Sequence, residues 1–211
     1  MKITALRPGR WLLLALLVTG LGSCRKQDDA PTPAVPSGQE LFVSATPVIT
    51  APKAQLQALA VVAGFAAFVP QLKYDVKFYK FLYKTTYKGQ LLQVSGMLGV
   101  PQGTPAPPAL LSAQHGTMFR QADSPSNFPA TYTGFELFAS TGFITLIPDF
   151  IGLGVSSGVV QPFYDKPTSA GAVVDMVKAV QYYLGQQAVA FSPRLFLVGY
   201  SEGGYVTMAA Q

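Results

Sequence analysis

The chain has 211 residues, room for one domain with a sizeable buried core, and 49% of them are hydrophobic against 12% charged. Its formal charge of +5 includes Lys2, Arg7 and Arg10 at the start, and no basic run of the nucleic-acid-binding kind is left elsewhere, so no nucleic-acid partner is expected. One cysteine excludes an intrachain disulfide, one histidine (His115) limits the acid–base chemistry available, and neither a metal nor a cofactor is expected.

Residues 1–24 read as an export signal. A positive start precedes the apolar run Trp11–Leu21, about half of the ~20 residues that cross a bilayer. The segment ends Leu21-Gly22-Ser23-Cys24, which resembles the lipobox of bacterial lipoproteins. That resemblance implies lipidation of Cys24 and anchorage to a bacterial membrane, on its periplasmic or outer-surface face. Residues 25–45 are polar and carry Pro31, Pro33 and Pro36, so they read as a flexible, partly stiffened tether, with the folded domain expected over 46–211.

Thr50 to Val69 has a helical pattern: Thr50 as the cap, Pro52 in the first turn, Leu56, Leu59, Ala60 and Ala63 on one face, and Pro70 as the stop. Tyr74 to Tyr87 alternates, placing Tyr79, Phe81, Tyr83, Thr85 and Tyr87 on one face, which is expected to lie under a helix. Lys88-Gly89 is a two-residue turn and Leu91–Val100 the returning strand. Lysines 73, 77, 80, 84 and 88 are read as a solvated edge.

Ala109–Ala113 is a short buried strand that runs into Gln114-His115-Gly116-Thr117. A short helix at Phe135–Ser140 stops at Gly142, and Phe143–Ile147 is a further buried strand. A long helix starts near Pro167, with Val173, Val177, Val180 and Leu184 inward and Asp175 and Lys178 outward. Leu195–Val198 is the last strand, expected to be central, and a helix of small apolar residues follows. The order β-β-β-α-β-α-β-α calls for a mostly parallel sheet with helices on both faces, after an N-terminal antiparallel hairpin.

Three motifs stand at the carboxyl ends of three of these strands: His115-Gly116-Thr117, Pro148-Asp149-Phe150-Ile151-Gly152-Leu153-Gly154, and Gly199-Tyr200-Ser201-Glu202-Gly203-Gly204. Open α/β sheets bind ligands at that edge. The set resembles the α/β-hydrolase superfamily, and within it the bacterial relatives of the secretory lipases, over about residues 70–211. The resemblance implies that Ser201 is a nucleophile on a strained strand–helix turn flanked by Gly199 and Gly203. It implies that the N–H groups of Glu202 and Thr117 form the oxyanion hole, with Gly116 in the same loop.

His115 precedes Ser201, whereas the superfamily order is serine, acid, histidine. It is therefore read as a support of the oxyanion loop, with the role of base kept as the alternative. Asp149 is read as an organiser of its loop that accepts N–H bonds near Gly152 and Gly154, with the catalytic acid as the alternative. The acid and base are expected beyond Gln211, which makes this chain the front part of a hydrolase and inactive by itself. The leading expectation is an exported, lipid-anchored serine hydrolase that cleaves carboxylic esters of small molecules or lipids through an acyl-enzyme on Ser201. A serine peptidase of the prolyl-oligopeptidase kind and a non-catalytic ligand-binding surface lipoprotein remain open beside it.

Overall fold

The computed structural model describes residues 37–211. Cys24, the export signal and the first part of the tether lie outside the described residues.

The folded chain starts earlier than the sequence suggests. Ser37 caps the single turn α1 (Gly38–Leu41) with a reciprocal capping box: the Ser37 hydroxyl accepts from Glu40 N, and the Glu40 carboxylate accepts from Ser37 N at 3.1 Å. Leu41 is fully buried, and strand β1 (Phe42–Ala51) follows it directly. The boundary expected between residues 45 and 46 therefore falls inside a strand. Pro47 masked it. Proline donates nothing to a ladder, but β1 is the outermost strand and has a register shift at Pro47/Ile49, which is where a sheet tolerates proline.

Thr50 is the penultimate residue of β1, so it caps no helix. Helix α2 (Lys53–Val62) begins after Pro52, and Asp75 Oδ1 accepts from Lys53 N at 2.8 Å. It buries Leu56 and Ala60 and stops at Val62, short of the Val69 read from the pattern. Gly64 (φ +84°) then turns the chain into a 3₁₀ segment, Ala66–Gln71, that contains Pro70.

Strands β2 (Val76–Tyr87) and β3 (Gln90–Pro101) form the expected hairpin. Lys88 and Gly89 both have positive φ, 50° and 77°, as a two-residue turn matched to strand twist requires. With β4 (Leu110–Gln114), β5 (Ile144–Pro148) and β6 (Leu195–Gly199), the sheet order is β1-β2-β3-β5-β4-β6. The sheet is mixed. Its N-terminal half is antiparallel, and its core, β5-β4-β6, is parallel with Ser112 opposite both Leu146 and Leu197. Because β2 lies between β1 and β3, its lysines are on sheet faces and form no edge.

Each face of the sheet carries one core. Phe81, Tyr83, Leu98 and Leu146 pack against Met176, Val180 and Leu184 of α4 (Lys166–Gln186), so the aromatic stripe does lie under a helix. On the opposite face Phe78, Met97, Ala113 and Ile147 pack against Leu56 of α2 and Leu137 of α3 (Leu137–Ser140). Asp175 belongs to the first of these layers and does not face solvent. It accepts from Thr85 Oγ1 at 2.8 Å, and burial raises its proton affinity above that of an ordinary aspartate. Among the described residues β6 pairs with β4 alone, and Leu195 and Phe196 are 44% and 45% exposed.

Candidate active site

The site is built where β6 turns into α5 (Glu202–Ala209). Ser201 sits at that turn with φ 55° and ψ −125°, a conformation that costs a non-glycine residue on the order of 1–3 kcal/mol. Its side chain is exposed and makes no cap bond to the helix, which leaves the hydroxyl free. The turn is this tight because its flanking glycines touch backbone. A Cβ on Gly199 would overlap the Gly203 carbonyl, and one on Gly203 would overlap the carbonyl of Gln114, with the His115 carbonyl 2.5 Å away. The second contact seats the serine turn directly on the end of β4.

Helical bonding starts with Gly204 N donating to the Ser201 carbonyl at 3.0 Å, so the Glu202 amide has no acceptor within the helix. It lies at the positive end of α5, beside the serine. Across from it is the loop after β4. The Glu202 carboxyl is buried, and the Thr117 side chain is close enough to act on its proton affinity. Gly116 packs under the ring of Tyr200, where a Cβ would come within 2.7 Å. The six residues Gly199, Ser201, Glu202, Gly203, Gly116 and Thr117 thus form one constellation.

His115 and Asp149 lie behind it. His115 is fully buried and stacks on Phe150 with ring centroids 4.2 Å apart. Its Nδ1 is 2.7 Å from the Gly116 carbonyl and its Nε2 is 3.3 Å from the Asp149 carbonyl. Two carbonyl partners would suit an imidazolium, yet burial disfavours the charged ring and lowers its proton affinity. The shorter contact then marks Nδ1 as the N–H donor of a neutral ring, to the Gly116 carbonyl. That bond and the stacking on Phe150 hold the ring behind the loop after β4.

Asp149 is also fully buried. It accepts from Ser126 N at 2.8 Å and from the Ser95 hydroxyl, and burial raises its proton affinity. Neither bond comes from the N–H groups near Gly152 and Gly154 expected from the glycine spacing, which have other acceptors. Gly154 N donates to Ser124 Oγ at 3.1 Å, Gly152 N to Ser156 Oγ at 3.0 Å, and Ser95 Oγ accepts from Val155 N at 3.0 Å.

Two cavities flank Tyr200. One, of about 410 Å³, is lined by Phe65, Phe68, Phe135, Leu137 and Phe138; the other, of about 460 Å³, is more polar and includes Arg120, Asp123 and Thr131. Arg120 and Asp123 pair there at 2.8 Å on the exposed rim. Among the described residues no cluster of histidine, cysteine or acidic side chains could hold a metal ion.

No family model and no curated protein matches the chain. Solved structures do. A Legionella pneumophila protein classed as a hydrolase superposes with a TM-score of 0.71 at 26% identity, over 81% of this chain and 47% of its own. The rice cell wall degrading esterase LipA from Xanthomonas oryzae gives 0.71 at 24% identity, over 83% and 45%. Lipase A from Candida antarctica, in its closed state, gives 0.52 at 16% identity, over 86% and 41%.

The fold is that of the α/β-hydrolases. The chain spans less than half the length of each of these structures. In this α/β-hydrolase fold the three sequence motifs do meet at the carboxyl edge of the parallel strands. The polar residues that hold them there were not read from the sequence. Ser112 Oγ and Thr207 Oγ1 both lie within hydrogen-bonding distance of the buried Gln114 amide; turned so that its NH₂ faces Thr207 and the Val198 carbonyl, that amide satisfies both groups and ties β4, β6 and α5 together. Ser95 of β3 and Gln161 of the glycine-rich loop act likewise on Asp149 and Glu202. Their one sequence signal was a polar residue inside an apolar strand, as with Ser95, Ser112 and Gln114.

Proposed function

We propose that this α/β-hydrolase-type chain carries the nucleophile and oxyanion site of a serine hydrolase that cleaves carboxylic esters. The observation that carries the reading is the Ser201 conformation: a strained serine with a free hydroxyl at the start of α5, held against the loop that bears Thr117. In this reading Ser201 Oγ adds to the ester carbonyl carbon, and the N–H groups of Glu202 and Thr117 bind the developing oxyanion. Collapse of the adduct expels the alcohol with a proton and leaves an acyl group on Ser201, which water then hydrolyses. The reading assigns no general base to this chain, because His115 is fully buried and its ring nitrogens face the Gly116 and Asp149 carbonyls and not Ser201.

Esters are preferred to peptides for two reasons. Structural neighbours include an esterase and a lipase. The aromatic cavity beside Tyr200 suits an apolar acyl or alcohol group and offers few partners for a peptide backbone. The protein expressed from its complete reading frame should react with a fluorophosphonate at Ser201, lose that label in Ser201→Ala, and turn over acyl esters. Turnover of aminoacyl-prolyl substrates alone would replace the esterase reading with the peptidase one. A folded protein that takes no label would point to a non-catalytic ligand-binding lipoprotein.

We further propose that the protein is exported and tethered through lipidated Cys24, which lies outside the described residues; no helix among the described residues is long and apolar enough to cross a membrane. Cys24→Ser should move the protein from the membrane to the soluble fraction and leave Ser201 labelling intact. Unchanged fractionation would remove the lipid anchor from the proposal.

A further inference from the structure

Glu202 contributes a backbone N–H to the candidate oxyanion site, yet its side chain is just as specifically placed. Glu202 is buried at the first residue of α5, beside an exposed turn; Oε1 accepts from Gln161 Nε2 at 3.1 Å, and Oε2 has no hydrogen-bond partner. Gln161 is itself held. Its backbone packs on Gly152, where a Cβ would come within 2.8 Å, and the Gly152 carbonyl accepts from Gln121 Nε2 at 2.7 Å. The Thr117 side chain adjoins the same carboxyl. Beside Glu202 on the α4 side lies a small cavity of about 10 Å³, lined by Phe150, Gln161 and Ser169. The placement of the carboxyl answers to the loops around it.

We propose that the Glu202 side chain is the positioning residue of the oxyanion site, joining the serine turn to the Thr117 loop on one side and to Gln161 of the glycine-rich loop on the other. The inference rests on the serine-hydrolase reading of Ser201. Burial disfavours the anion and raises the proton affinity of the carboxyl, Gln161 and Thr117 oppose that in part, and the other side chains lining the adjacent cavity are uncharged. The carboxyl meets Gln161 through Oε1 and adjoins the Thr117 side chain. As an anion it would set a negative charge beside the atoms that must bind an oxyanion.

The experiment uses the protein from its complete reading frame and compares wild type with Glu202→Ala, Glu202→Gln and Gln161→Ala, all checked for folding by circular dichroism. Glu202→Ala should lower kcat for an acyl ester about tenfold with KM within about twofold, the pattern of a displaced transition-state donor. Glu202→Gln should recover most of that loss, and Gln161→Ala should fall between. Wild-type kcat should fall as pH rises through the raised value of the carboxyl, and Glu202→Gln should lack that fall. A folded Glu202→Ala protein with wild-type kcat and pH profile overturns the proposal, as does a Glu202→Gln protein no better than Glu202→Ala. If wild type labels with fluorophosphonate but cleaves no ester, the esterase reading alone fails, and the labelling rates of the same variants decide the positioning role in the same order. If Ser201 does not label at all, there is no oxyanion site to position and the proposal falls with the reading.

Discussion

The chemistry of single residues here turns on buried carboxyls whose proton affinity is raised by burial. Asp149 is the clearest. Its acceptors face Ser126 N and Ser95 Oγ, and burial raises its proton affinity. Asp149→Asn can keep both contacts, with the amide oxygen on Ser126 N and the amide nitrogen on Ser95 Oγ, and should cost about 1 kcal/mol or less. Asp149→Ala leaves buried groups unpaired and should cost about 2–4 kcal/mol. The pH dependence has a definite sign. A carboxyl that binds its proton more tightly when folded contributes full stability below its ordinary value near pH 4, and that contribution is lost as pH rises through the raised folded value. Urea midpoints at stepped pH should therefore show wild type losing ground to Asp149→Asn as pH rises from about 4. The opposite trend would mean that Asp149 works as a stabilised anion, and would return it to consideration as a catalytic acid.

Among elements, the first strand matters most for what it changes. α1 and β1 cover α4 and the outer side of β2: Leu41 is fully buried, Gly38 lies against the Lys178 carbonyl, and Phe42 stacks on Tyr183 with centroids 5.5 Å apart. A protein deleted of residues 1–36 keeps every described residue and serves as the reference. A deletion through Ala51 removes Leu41, worth about 1.5–3 kcal/mol by burial alone, and also strips the edge of β2. That protein should unfold at a much lower temperature or fail to fold cooperatively by circular dichroism. Equal midpoints for the two deletions would show that β1 is dispensable.

For the whole molecule the open question is the β6 margin. A parallel core strand normally has neighbours on both sides and helices on both faces. Here β6 pairs with β4 alone, and Leu195 and Phe196 are exposed on a strand whose second edge is unpaired among the described residues. Such an edge recruits other strands. The 211-residue chain produced by itself should self-associate with rising concentration, and Leu195→Lys should shift it toward monomer, as read by light scattering after size exclusion. A chain that stays monomeric throughout would show that the margin is benign as it stands.

What the sequence determined by itself is short-range. The Ser201 turn, the Lys88-Gly89 hairpin and the strands at Leu110–Gln114 and Ile144–Pro148 depend on residues a few positions apart, through φ preferences and the unbroken apolar runs of strands buried on both faces. Gly199 is crowded by the nearby Gly203 carbonyl, whereas Gly203, legible from the same motif, is crowded by the Gln114 carbonyl of a distant strand. Tertiary structure decided the rest. Asp175 lies 90 residues from Thr85, and Thr207 lies 93 from Gln114, so no local pattern could show that these polar groups are buried and paired. β1 escaped notice because a proline-bearing edge strand lacks the alternation that burial on one face imposes. His115 was read as a support of the oxyanion loop from motif order alone, with base as the alternative; only the fold shows it buried, with its ring nitrogens facing the Gly116 and Asp149 carbonyls.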